Sequence, residues 1–234
     1  YPFTMKGLEM TKENRDRILI FGSSGHTGVV IDIVERESKF DILGLIDPHR
    51  DPNEEFMGYK VIGKEEELEE IVLTHDVKGG IIAIGDNWLR KTVRDKILQN
   101  CPDFRFLACI HPSAQIGKDA TIGKGTVVMP GVSVNSGCVV HEHCILNTNS
   151  SLDHDSVMGD FSSLAPGATL GGNVGVGNFS VISMGANVIH GKEIGEHALI
   201  GAGSLINKNV GDCSVWYGVP AKFVRRRQPG ERYL

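Results

Sequence analysis

Residues able to do chemistry run through the whole of this 234-residue chain, and their spacing is more informative than their number. Nine histidines supply imidazoles that titrate near neutrality, and His141, His143, His190 and His197 are candidate metal ligands by residue type. Five cysteines (Cys101, Cys109, Cys138, Cys144 and Cys213) are an odd number without C-x-x-C spacing. That argues against a zinc ribbon or a disulfide framework and fits a reducing cytoplasm. Near the start, Gly22-Ser23-Ser24-Gly25-His26-Thr27-Gly28 forms a glycine turn between an apolar run and a helical one, a candidate phosphate cradle. Its spacing is G-x-x-G-x-x-G, not the G-x-G-x-x-G of dinucleotide sites, so the turn alone does not specify such a cofactor. Asp47 ends the next apolar run and stands either as an acceptor for a ribose or base, or as a solvated turn residue in Asp-Pro-His. Gly85-Asp86-Asn87 closes a third buried strand, at the edge where open α/β sheets bind ligands. Arg90 follows, either steadying a phosphate there or standing as an exposed helix charge.

The elements that must position these groups alternate. Strands are expected at 17–21, 42–46, 80–84 and 104–110, with helices at 29–37, 65–72 and 88–99, in the order β-α-β-α-β-α-β. This is a Rossmann-like α/β domain over residues 17–109. Residues 1–16 lack an apolar signal-peptide core and read as a flexible extension. Hydrophobic residues make up 41% and charged residues 23%, no apolar run is long enough for a membrane span, and the net charge is −5. That balance opposes a protein whose partner is nucleic acid or membrane and points to small-molecule chemistry.

From residue 110 onward the composition changes: 19 of the 29 glycines follow Cys109. Every sixth residue from Ile110 through Ile116, Ile122, Val128 and onward to Ile206 is aliphatic or Met. Two places before each stands a small residue (Ala114, Ala120, Cys138, Cys144, Ser150, Ser156), with Lys192 the large exception that must leave the axis by a local distortion. A fixed period with large residues for an axis and small ones for tight corners specifies a solenoid. Cys138 and Cys144 fall in the small column and read as inert packing.

IFGSSGH, AIGDN-x-x-R, IHPSA, ILNTNSSLDHD at 145–155, the hexapeptides and GVPAK at 218–222 together span nearly the whole chain. In this combination the sequence resembles the two-domain bacterial sugar acetyltransferases, a group that includes the bacillosamine-pathway and perosamine N-acetyltransferases and the sialic acid O-acetyltransferases. The resemblance implies a left-handed parallel β-helix over 110–211 and a tail at 212–234 that contacts CoA. It also implies a homotrimer with sites between prisms and transfer from acetyl-CoA to a nucleotide-linked amino sugar, without a metal.

By the same resemblance His154 is the general base, Asp155 its orienter, and Gly172 lies near the thioester. An 18-residue coil would stack Gly172 directly above His154 and leave a slot beside the base. Adjacent strand residues point to opposite faces, so His154 and Asp155 meet only if the backbone bends at a corner. Where relatives carry a second histidine that contacts the acetyl group, this chain has Ser163, whose hydroxyl either replaces that contact or leaves it vacant. Half a coil separates Ser163 from His154, so the two meet only across a subunit interface. Asn147 matches a position near the acceptor sugar, and Lys222 and Arg225 match the CoA-binding tail. The implied nucleotide grip is Gly22, Ser23, Gly25, His26, Asp47 and Asn87. The competing functions are sialic acid O-acetylation and, from another class, a β-helix metal hydratase built on the four histidines above.

Overall fold

The computed structural model describes residues 15–233, so the expected N-terminal extension lies almost wholly outside the described residues. The first unit is a five-stranded sheet in the order β3-β4-β2-β1-β5. Strands β1 (Asp16–Phe21), β2 (Phe40–Ile46), β4 (Tyr59–Gly63) and β5 (Val77–Ile82) run parallel, and β3 (Glu55–Phe56) forms a hairpin with β4. Ile18, Leu19, Ile20 and Phe21 are all fully buried, as expected of a central strand covered on both faces. Helix α1 (Gly25–Glu37) turns Val30, Ile31, Ile33 and Val34 onto the sheet, and α2 (Leu68–His75) and α3 (Asn87–Asn100) complete the layers.

Two details depart from the expected order. The β3–β4 hairpin was not foreseen; its two-residue turn needs positive φ at both positions, adopted by Met57 (φ 49°) and Gly58 (φ 83°). The expected strand at 104–110 is reduced to a single bridge between Gly80 and Phe106, and Cys109–Ile110 pairs instead with the second unit. The Arg105 carbonyl comes so close to Gly79 that a Cβ there would lie 2.4 Å from it, which explains a glycine in the middle of β5.

The second unit is a three-sided prism of two-residue strands, from β6 (Cys109–Ile110) to β22 (Leu205–Ile206). Every third strand shares a face, in parallel register eighteen residues apart: Ser133 pairs with Ser151, Val139 with Val157, and Ile145 with Ser163. The aliphatic column forms the axis. From Val128 to Ile206 its members are at most 3% exposed, whereas Ile116, on the open end, is 37% exposed. The small column is small because its hydroxyls and thiols turn inward and donate to the next coil: Cys138 Sγ to Asp153 O (3.0 Å), Ser156 Oγ to Gly171 O (3.0 Å) and Ser180 Oγ to Gly195 O (2.6 Å). Burial pushes the Cys144 thiol up to about 11, which accords with inert packing. Lys192 leaves the axis as required, its ammonium donating to the Gly191 carbonyl beside a φ of 64°. Beyond the prism, β23 (Ser214–Gly218) and β24 (Ala221–Arg226) make a hairpin that extends one face.

Helix α3 docks the sheet domain on one corner of the prism. His143, Phe161, Phe179 and His197 occupy this corner in successive coils, all at positive φ, with ring centroids 4.7–5.3 Å apart and planes within 6° of parallel. Trp88 tilts against Phe179, and Phe106 stands edge-on to His143. Through this contact runs Arg90, fully buried. It is neither the phosphate ligand nor the exposed helix charge considered above. Its guanidinium donates to the carbonyls of His143 (2.8 Å), Ile84 (2.9 Å), Gly85 (3.0 Å) and Phe161 (3.2 Å), and to Asn87 Oδ1 (2.7 Å). No carboxylate pairs with it among the described residues. The planar fork of donors suits a ring of carbonyls, and dipoles replace a counter-ion.

Two outcomes are expected. Arg90→Lys retains the charge but leaves buried carbonyls unserved, and should cost about 3 kcal/mol or more. A melt unchanged from wild type would refute the clamp. His143 is buried with neither ring nitrogen partnered, and burial, helped by Arg94 and Arg90, pushes its imidazole down to about 3 from 6.5. The unfolded chain therefore binds a proton below pH 6.5 that the folded chain refuses, and stability falls with acid, by roughly 2 kcal/mol between pH 6.5 and pH 5 from this group. His143→Phe keeps the stack and removes that loss, so its thermal melts at pH 7 and pH 5 should differ less than those of wild type.

Candidate active site

His154 sits in the corner between strands Ser151–Leu152 and Val157–Met158. The chain turns sharply there because Asp155 adopts φ 58°, and this bend lets adjacent residues face each other: His154 Nδ1 lies 2.9 Å from Asp155 Oδ2. Asp153, which the sequence did not single out, holds the other side of the turn. Its Oδ1 accepts the His154 backbone N–H (2.9 Å) and the side-chain amide of Asn135 in the coil below (2.7 Å). The hydrogen bond to Asp155, followed by the charge of Asp153, raises the imidazole pKa above its ordinary value, which makes the ring a stronger base. With Nδ1 engaged by a carboxylate, Nε2 is the nitrogen left for chemistry.

Gly172 lies directly over this ring, as the 18-residue coil requires. A Cβ there would come 2.5 Å from His154 Nε2, so only glycine leaves room beside the base. The Gly172 N–H has no partner among the hydrogen bonds of the described residues. Alongside runs a groove of about 500 Å³ on one prism face, lined by Asp155, Val157, Gly159, Gly175, Gly177 and Glu193.

The N-terminal candidates assemble at the carboxyl ends of the parallel strands. A recess of about 240 Å³ is lined by Gly22, Ser23, Ser24, Asp47, Glu65 and Gly85. Asp47 is part of this wall, not a solvated turn residue: it is 9% exposed and accepts the Ser23 hydroxyl (2.5 Å) and the His49 N–H (2.9 Å). Gly25 has open space where a Cβ would stand, at the first turn of α1. Burial, then the charge of Arg90, pushes the His26 imidazole down to about 4, and its Nε2 is unpartnered.

A second recess, about 450 Å³, lies on the prism face under the same loop, lined by His26, Gly85, Asn147, Ser163, Met184 and Tyr233. Gly85 lines both recesses. Two residues expected to contact ligand are engaged within the protein. Asn87 is 2% exposed, and its amide is consumed by the domain contact, donating to Phe179 O (3.3 Å) and accepting from Arg90. Ser163 donates to Asn87 Oδ1 at 2.6 Å, which uses its one O–H. Ser163 lines the recess, and Asn87 lines none of the three.

Lys222 and Arg225 lie on β24 and line none of these three recesses. Arg225 pairs with Glu231 at 2.6 Å, and Lys222 makes no ion pair among the described residues. Of the four histidines considered as metal ligands, His143 and His197 belong to the aromatic stack. No group of three or more His, Cys, Asp or Glu converges among the described residues in a way that would hold a metal ion. Sequence reasoning missed Asp153, the clamp role of Arg90, and Tyr233, which comes into the recess from a segment with no periodic signal.

The raised basicity has a direct check. In an NMR titration the His154 ring should lose its proton above the ordinary imidazole pH, and Asp155→Asn should move that midpoint down. An unchanged midpoint would remove Asp155 as the cause.

Residues 17–97 match the family described as PglD N-terminal domain, and residues 113–148 match the bacterial transferase hexapeptide family of six repeats. A perosamine N-acetyltransferase variant from Caulobacter crescentus, solved with CoA and GDP-perosamine, is 31% identical over 89% of this chain and 96% of that one, with a TM-score of 0.82. The acetyltransferase domain of PglB from Neisseria gonorrhoeae, solved with acetyl coenzyme A, is 28% identical over 90% of this chain and 100% of that one, with a TM-score of 0.81. WeeI from Acinetobacter baumannii is 25% identical over 88% of this chain and 99% of that one, with a TM-score of 0.79. With its sheet domain, its hexapeptide prism and this likeness along almost its full length, the chain belongs to the two-domain hexapeptide-repeat sugar acetyltransferases.

Proposed function

We propose that the protein transfers the acetyl group of acetyl-CoA to the 4-amino group of a sugar linked to a nucleoside diphosphate, the sugar being an amino-dideoxyhexose of bacterial surface glycans. The observation that carries this reading is the His154 ring, fixed through Nδ1 by Asp155 and open at Nε2 beside Gly172. The neutral amine attacks the thioester carbon while His154 Nε2 takes one of its protons. The C–S bond then breaks, the sulfur takes the proton from the imidazolium, and no acetyl-enzyme forms. Asp155 stabilises the transient imidazolium, and the unpaired N–H of Gly172 is available to the developing oxyanion.

The two recesses, which share Gly85 as a wall, suit the acceptor. The nucleoside fits between the glycine turn and Asp47, and the diphosphate fits the open first turn of α1 at Gly25. The sugar fits beside His26 and Asn147 against Ile145, Leu164, Val181 and Met184, apolar walls that favour a ring with a methyl in place of a hydroxyl. Free sialic acid would leave the nucleoside recess without a purpose.

The sugar recess lies on the face of strands Ile145–Leu146 and Ser163–Leu164, and His154 is at the vertex between the other two faces. One copy therefore cannot bring its own base to its own acceptor, and a homotrimer in which a neighbour supplies His154 completes the site. The five free cysteines fit a cytoplasmic enzyme, and no helix of the described residues is long and apolar enough to cross a membrane.

Thiol release from acetyl-CoA, measured with UDP-, dTDP- and GDP-linked 4-amino-4,6-dideoxy sugars, free amino sugars and sialic acid, tests the reading. Turnover is expected only with a nucleotide-linked amine. His154→Ala should lower it at least ~100-fold. Gly172→Ala, whose φ is not in the left-handed region, should keep its melting temperature yet lose at least ~10-fold by displacing the imidazole. Full activity in His154→Ala, or turnover of sialic acid alone, would overturn the proposal.

A further inference from the structure

One wall of the sugar recess comes from neither domain's regular elements. After β24 the chain folds back on itself. Arg225 pairs with Glu231 (2.6 Å), the Gln228 N–H donates to the Glu231 carboxylate (3.0 Å), and the Arg227 guanidinium donates to the Glu231 carbonyl. Gly230, at φ 77°, lies flat on Trp88, where a Cβ would come within 3.0 Å of the indole. These contacts lay Tyr233 across the prism face, its ring packed on Val181, Leu199 and Val215. Its hydroxyl donates to the Gly85 carbonyl at 3.0 Å. Gly85 is the residue at which the nucleoside and sugar recesses meet. The Gly85 carbonyl also accepts from Arg90, so the loop at the junction is held from two sides.

We propose that Tyr233 is an acceptor-positioning residue. Its ring is the surface on which the sugar packs, its hydroxyl fixes Gly85 at the junction of the two recesses, and the Arg225–Glu231 pair is the latch that keeps it there. This rests on reading the second recess as the sugar site. An aromatic face is suited to the C–H face of a deoxygenated sugar ring, and Tyr supplies it with a polar handle at the rim. Arg225 then serves the acceptor end of the reaction through Glu231, in place of the CoA contact expected from its sequence position.

Isothermal titration of the full-length protein separates the possibilities, using a nucleoside diphosphate 4-amino-4,6-dideoxyhexose, the bare nucleoside diphosphate and acetyl-CoA as probes. Tyr233→Ala should weaken the nucleotide sugar ~10-fold while the bare nucleotide and acetyl-CoA stay within about twofold. Glu231→Ala, which releases the latch, should shift binding in the same direction, and Tyr233→Phe, which keeps the ring, should lose about threefold. In steady-state assays the change should appear in KM for the nucleotide sugar more than in kcat. Variants that bind the nucleotide sugar like wild type overturn this proposal and leave the acceptor reading intact. Equal weakening of all three probes marks general damage to the fold and also overturns it. A wild-type protein that binds no nucleotide-linked sugar overturns both.

Discussion

The structure depends on the eighteen-residue register in which each prism coil hydrogen-bonds to the next. Because every coil repeats the same three corners, a residue type placed once per coil becomes a column, and each column does a different job. Aliphatics fill the axis, inward hydroxyls and thiols tie one coil to the next, and rings stack on one corner. The same register sets Gly172 over His154 and Asn135 beneath Asp153. A shift of one residue in any coil would break all of these together, so the His154 ring is held as firmly as the fold itself.

On that rod the sheet domain is docked by a shared apolar core and by a buried charge that has no counter-ion among the described residues. Burying a guanidinium is costly unless its donors are satisfied, and here backbone carbonyls of both domains and the amide of Asn87 satisfy them. The acceptors come from the ends of β5 and α3 on one side and from corner residues His143 and Phe161 on the other. The contact is therefore directional in a way that the stacked rings alone would not be. It fixes the Gly85 loop, and so the geometry of both recesses, relative to the prism face.

On the proposed reading the chemistry is divided between places that one copy keeps apart. The His154 imidazole and the Gly172 N–H occupy one vertex, while one recess lies at the strand ends of the sheet domain and the other on the prism face away from that vertex. This separation gives the proposed homotrimer a catalytic purpose.

Much of this was legible in the sequence because solenoid positions are set by counting. The period of six gave the axis, the corners, the inert cysteines and the stacking of Gly172 on His154, since in a repeat each residue's neighbour above is known from its number. The strand–turn–helix of the first domain was equally local, from the apolar run at Ile18 to the glycine turn. The β3–β4 hairpin was missed because Met57 does not advertise a positive φ, and the last strand dissolved because Phe106 and Cys109 serve different units. What counting could not supply was any contact between segments without a shared period. The burial of Arg90, the capture of Asn87 and Ser163 by the domain contact, and the return of Tyr233 to the second recess depend on how the two units pack. No spacing within either unit encodes that packing, so only the tertiary structure decided which polar groups face a ligand and which face each other.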